Sequence, residues 1–158
     1  MGVLDRLRPI VDRIPVFSNE ETRVARFMTI PGSERGFTIP DPNAPLPVND
    51  LHIEDIDAPG LLAGSVSVIY YRTSHTGHPS FSVRLNETRL TSQNLSGDGP
   101  LSWHEIVPSN ALLAEDNLLT LAVSGDGAVT FSDIVILYQS NKTTIKVPPV
   151  LDPGVATT

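Results

Sequence analysis

The chain has 158 residues, 14 prolines, 11 glycines, no cysteine and a formal net charge of −7. That length allows one ordinary domain with roughly 30–50 residues over for arms, and 40% hydrophobic residues suffice for a core. Eighteen acidic against eleven basic residues argue against a nucleic-acid surface, while the missing cysteines exclude a disulfide scaffold, a thiolate zinc site, an iron–sulfur cluster and a cysteine nucleophile.

The opening stretch, MGVLDRLRPIVDRIPVF, carries charges at Asp5, Arg6, Arg8, Asp12 and Arg13 that break any signal-peptide core. Arg6 also stands where a myristoylation pattern wants Ser or Thr. Val3, Leu4, Leu7, Ile10, Val11 and Ile14 recur at helical spacing. Pro9 interrupts them, so a short helix is the most this segment predicts. Asp5 and Asp12 offset the arginines that would favour a lipid surface, and no run reaches the ~18–20 apolar residues needed to cross a membrane as a helix. Membrane partners are therefore not expected, and docking on protein is.

Residues 26–30 and 36–39 read as short extended pieces. Pro40, Pro42, Pro45 and Pro47 then hold the chain out of the helical region. Seven of the prolines fall in residues 1–50, where six arginines nearly cancel seven acids. Residues 1–50 thus read as an extended arm, with Leu4, Leu7, Ile10, Phe17, Phe27, Phe37 and Ile39 as its docking anchors.

From residue 51 the pattern is β. Residues 51–56 alternate, residues 65–71 are rich in β-branched and aromatic side chains, and Phe81, Val83 and Leu85 alternate with polar neighbours. Ser74-His75-Thr76-Gly77-His78-Pro79 reads as a loop, and Ser96-Gly97-Asp98-Gly99-Pro100 as a turn. Residues 117–124 and 129–138 flank Gly125-Asp126-Gly127-Ala128, a hairpin signal. A last strand over 143–147 precedes a proline-containing tail, 148–158. Seven to nine strands with no long helical window predict an all-β antiparallel sandwich over residues 51–147.

Three passages resemble the galactose-binding-domain-like jelly roll found in carbohydrate-binding modules and in some virion decoration proteins. Phe81-Ser82-Val83-Arg84-Leu85-Asn86 followed by Thr88-Arg89-Leu90 is similar to its hairpin. The run from Val107-Pro108 through Leu112 and Asn117 to Leu121 is similar to its passage into a core strand, and residues 129–138 to its closing strand. Glu87 and Glu115-Asp116 stand where that pattern has glycines. The resemblance covers about residues 81–138 and implies a jelly-roll-like sandwich.

No G-x-S-x-G, P-loop, H-E-x-x-H or G-x-G-x-x-G sequence is present, so no enzyme activity and no cofactor are expected. His75 and His78 form a metal-ligand spacing without a fixed third ligand. Glu54-Asp55-x-Asp57 and Glu115-Asp116 read first as solvated strand ends. The three Asn-x-Ser/Thr triplets, at Asn86, Asn94 and Asn141, are expected to be chance. The leading expectation is a structural assembly protein of a phage-head decoration type, its arm docking on neighbouring subunits in a homo-oligomer or capsid shell. It would occupy the virion, or the cytoplasm before assembly. The alternative is a carbohydrate-binding module using Trp103, Tyr70, Tyr71 and His104.

Overall fold

The computed structural model describes residues 23–45 and 50–142. These form seven strands and no helix: β1 (Val24–Thr29), β2 (Phe37–Ile39), β3 (Leu51–Ile56), β4 (Ser67–Leu85), β5 (Thr88–Asn94), β6 (Leu101–Val107) and β7 (Asn117–Ser140). All pairings are antiparallel, and the two long strands, β4 and β7, run beside each other for most of their length.

The β4–β7 ribbon folds over on itself and supplies both layers of a sandwich. In one layer, the start of β4 and the end of β7 are flanked by β6 on one side and by β1 and β2 on the other. In the second layer, the end of β4 and the start of β7 lie between β5 and β3. Along β4 the odd-numbered residues point inward from Ser67 to Thr73 and again from Pro79 to Leu85, so the same face of the ribbon meets the core on both sides of the bend. In β7 the inward set changes from odd (Phe131) to even (Ile134). A register shift does this opposite Tyr70/Arg72, with Asp133 at φ 51° as the extra residue.

Glycines make the fold-over sterically open. Gly77 pairs with Gly127 and Pro79 with Gly125. Gly127 has φ 125°, and a Cβ there would overlap the carbonyl oxygen of Thr76. The expected 74–79 loop and 125–128 hairpin are therefore bends inside continuous strands. Facing glycines on two neighbouring strands let the backbones close up and turn together, where a hairpin would have reversed the chain.

The layers meet through aromatic rings. Phe81, beyond the bend, packs edge-on against Phe131 at 5.4 Å, Trp103 at 5.4 Å and Tyr71 at 6.1 Å, all in the opposite layer. Such cross-layer pairs contribute about 0.5–1.5 kcal/mol each beyond area burial.

A second correction concerns the arm. Residues 24–29 and 37–39 are strands of the same sheet, paired with β7, and Ile30 and Ile39 are buried in the common core. The extended pieces read there exist, but they lie on this chain's own sandwich, so the boundary at residue 50 does not divide the structure over residues 24–39. Ser33 ties the turn between them, its hydroxyl accepting from the Ile134 amide at 3.2 Å. The anchors Leu4, Leu7, Ile10 and Phe17, the short N-terminal helix, the 143–147 strand and the 148–158 tail lie outside the described residues.

Candidate functional site

Strand alternation separates the four residues expected to bind a glycan. Tyr71 is buried and donates its hydroxyl to Glu105 Oε1 at 3.2 Å. Burial first, and the neighbouring Glu105 charge second, hold its phenol above the ordinary tyrosine range, so it stays protonated. Trp103 is half-buried beside it, with rings stacked at 6.4 Å, and its Nε1–H donates to Thr73 Oγ1 at 2.8 Å. These two are core aromatics. Tyr70 and His104 point the other way, exposed and paired across β4 and β6 with ring centroids 6.2 Å apart. Neighbours in sequence on a strand face opposite sides, so the four cannot form one platform.

Tyr70 and His104 belong to an outer face four strands wide. One cross-strand row is Phe27, Leu137, Val68 and Ile106, and the next is Thr29, Val135, Tyr70 and His104. Except for His104, neither row holds an ionisable side chain apart from the Tyr70 phenol. Further along, Arg72 and Asp133 form an ion pair at 3.4 Å.

Beyond that pair, towards the bend, lie two adjoining clefts that the sequence did not suggest. The first, of about 300 Å³, is lined by the hydroxyl residues Thr38, Ser74, Thr76 and Thr130, with His75, Ala128 and the rings of Pro40 and Pro42. The second, of about 520 Å³, shares Thr38 and Pro42 and adds Phe37, Asp41, Asn43 and His52 among its walls. Thr38 and Thr130 hydroxyls lie 2.8 Å apart. Phe37 stacks on His52 at 3.9 Å, and His52 Nε2 is 2.7 Å from Glu54 Oε1. Asp41 accepts the Asn43 amide at 2.8 Å, turning the chain at Pro42-Asn43 where a fully extended strap was expected.

The clefts were hidden in the sequence because their walls come from β2, the turn after it, β3, β4 and β7, with Thr38 and Thr130 ninety-two residues apart. Of the expected anchors, Ile39 enters the core, Phe37 borders the second cleft and Phe27 is exposed. Among the described residues, no group of three or more His, Asp or Glu side chains is placed to hold a metal. His75 and His78 sit on a strand, where residues three apart face opposite sides. Asp57 is engaged structurally, its carboxylate accepting the Asp116 amide at 3.0 Å.

The resemblance passages explain a different feature. Asn86, at φ 52° in the β4–β5 turn, and buried Asn117, at the start of β7, meet directly: Asn86 Nδ2 donates to Asn117 Oδ1 at 3.0 Å. Asn117 also donates to the carbonyls of Ile56 and Leu113 and accepts the Leu113 amide at 2.7 Å. Asp116 takes the left-handed conformation, φ 57°, close to where the jelly-roll pattern has glycine. Both asparagines are structural.

No protein-family model and no curated protein sequence matches the chain. Among solved structures it is similar to dimeric latent PorU from Porphyromonas gingivalis, with TM-score 0.55 and 13% identity over 75% of this chain and 13% of that one. It is also similar to a carbohydrate-binding module, CBM36, in complex with calcium and xylotriose, with TM-score 0.42 and 14% identity over 75% of this chain and 99% of that one. A third is the CBM22-1–GH10 portion of Clostridium thermocellum xylanase Xyn10B complexed with xylohexaose, with TM-score 0.38 and 12% identity over 80% and 28%. The likeness to PorU extends over the antiparallel β-sandwich described above. This chain spans only 13% of the PorU chain's length, and at such identities the likeness concerns the fold alone.

Proposed function

We propose that the chain is a non-catalytic glycan-binding module, with the two adjoining clefts at the bend end of the sheet as its sugar subsites. One observation carries this reading: hydroxyls, an amide, a carboxylate and imidazoles converge there beside a phenylalanine and two proline rings. Sugar hydroxyls need paired donors and acceptors, and the C–H face of a pyranose needs a flat apolar wall. Together the clefts have the size of a small-ligand site, and among the described residues their walls hold no Lys or Arg, which favours a neutral sugar. Neither the fold nor the likenesses point to a virion shell.

The test is a glycan panel read by calorimetry, followed by two cleft substitutions. Saturable binding to one neutral sugar class is expected, with Asn43→Ala and Thr130→Val each weakening it about tenfold, the loss of one or two hydrogen bonds. Trp103→Phe should leave affinity unchanged. Binding that ignores both cleft substitutions and disappears in Tyr70→Ala would move the site to the outer rows and refute this placement. An assembly role retains a specific observation of its own in those rows.

A further inference from the structure

The outer face around Leu137 and Val68 gathers several exposed large apolar side chains on neighbouring strands. Phe27 is 72% exposed, Ile106 68%, Val66 55%, Tyr70 45% and Leu137 39%. Side chains of these sizes at these exposures present about 500 Å² of apolar surface, near the upper end of what a monomer usually shows. With Thr29, His104 and Gln139 around it, the face approaches the ~800 Å² per partner of a stable protein interface. It is also shaped for a sheet, since it spans four paired strands without an intervening loop.

We infer that a second copy of this chain docks on this face, sheet against sheet, burying the Phe27–Leu137–Val68–Ile106 row in an isologous dimer. The uncharged character of the two rows favours this occupant over a charged partner. A basic partner drawn by the −7 net charge would be steered to carboxylates, and the two rows hold none. A second copy brings an identical uncharged face, so no like charges oppose each other at the centre of the contact. Sheets packed in this way place their side chains in an apolar layer about 10 Å thick, the arrangement this chain already uses internally. The contact lies beyond the Arg72–Asp133 ion pair from the clefts, and the inference does not depend on sugar binding.

The test is the mass of the full chain by sedimentation equilibrium, from sub-micromolar to high-micromolar concentration, without any sugar. A monomer–dimer equilibrium is expected. It should tighten as salt rises, because screening removes the repulsion between two copies of net charge −7. Ile106→Asp and Phe27→Asp should each weaken it about thirty-fold or more, as for buried central contacts. Ile106→Thr, which keeps a β-branched strand residue, serves where the aspartate variant fails to fold, and near-ultraviolet circular dichroism of Trp103 verifies the sandwich. A monomer throughout the range at low and high salt overturns the inference. So does a dimer that is indifferent to substitutions in both Phe27 and Ile106.

Discussion

Asn117→Ala tests how the two resemblance passages are joined. The side chain is buried, and its removal strips partners from the Ile56 and Leu113 carbonyls, the Leu113 amide and the Asn86 side-chain amide. A buried polar group left unsatisfied costs about 1–3 kcal/mol. Leu113 lies in an exposed segment, so water can reach part of the gap, and the sum comes to about 3–4 kcal/mol. That is a large share of the ~5–15 kcal/mol that stabilises a typical domain. Urea unfolding followed by the single tryptophan reads it directly, because Trp103 packs against Phe81 and Tyr71 and loses that environment on unfolding. The midpoint should fall with the slope unchanged. Asn86→Gly, which tolerates the positive φ, should cost about 2 kcal/mol for its bonds to Ala111 and Leu118 and its contact with Asn117. The double variant should lose less than the sum, because one hydrogen bond is shared. A folded Asn117→Ala protein destabilised by under about 1 kcal/mol would refute the reasoning.

Other consequences concern the bend and the core. Gly127→Ala should lower stability by about 2–3 kcal/mol or more, whereas Gly64→Ala, with nothing near the added methyl, should cost only about 1–2 kcal/mol for its positive φ. Thermal melts of the pair compare them, and equal losses would mean that the close approach to Thr76 is unimportant. Tyr71 has its folded pKa raised above the ordinary 10.0, so its contribution is complete below pH 10 and is lost as pH rises beyond it. Alkaline unfolding curves should accordingly be shallower for Tyr71→Phe than for the parent, at a neutral-pH cost of about 1 kcal/mol for the Glu105 hydrogen bond. Trp103→Ala should act on stability, by about 3 kcal/mol, with no selective loss of sugar affinity in the protein that remains folded.

Much of the fold was legible because strand-forming residues advertise themselves locally. Alternation marked the strands, and it placed extended pieces at residues 26–30 and 36–39 that the structure contains. What local pattern could not say was where those pieces dock. Their partner is β7, about one hundred residues away, whereas proline content suggested an extended arm docking on a neighbouring subunit. The same limit made a loop and a hairpin of two segments: Ser74–Pro79 and Gly125–Ala128 look like chain reversals alone and become a shared bend only when paired with each other. Alternation also contained the answer for Tyr70 against Tyr71 and Trp103 against His104, since adjacent strand residues cannot share a face.

The sequence by itself determined the class of architecture, the acidic surface, the absence of cysteine chemistry and the Asn86 and Asn117 turn positions. Each of these is a property of residues or of short segments. The tertiary structure alone decided which residues lie together. Folding one long ribbon over itself put Tyr71 and Trp103 into the core, gathered Thr38, His75 and Thr130 around a cleft, and laid Phe27 beside Leu137, Val68 and Ile106. The physical reason is that pairing register across distant strands, set by the glycine bend and the Asp133 bulge, determines which side chains share a surface.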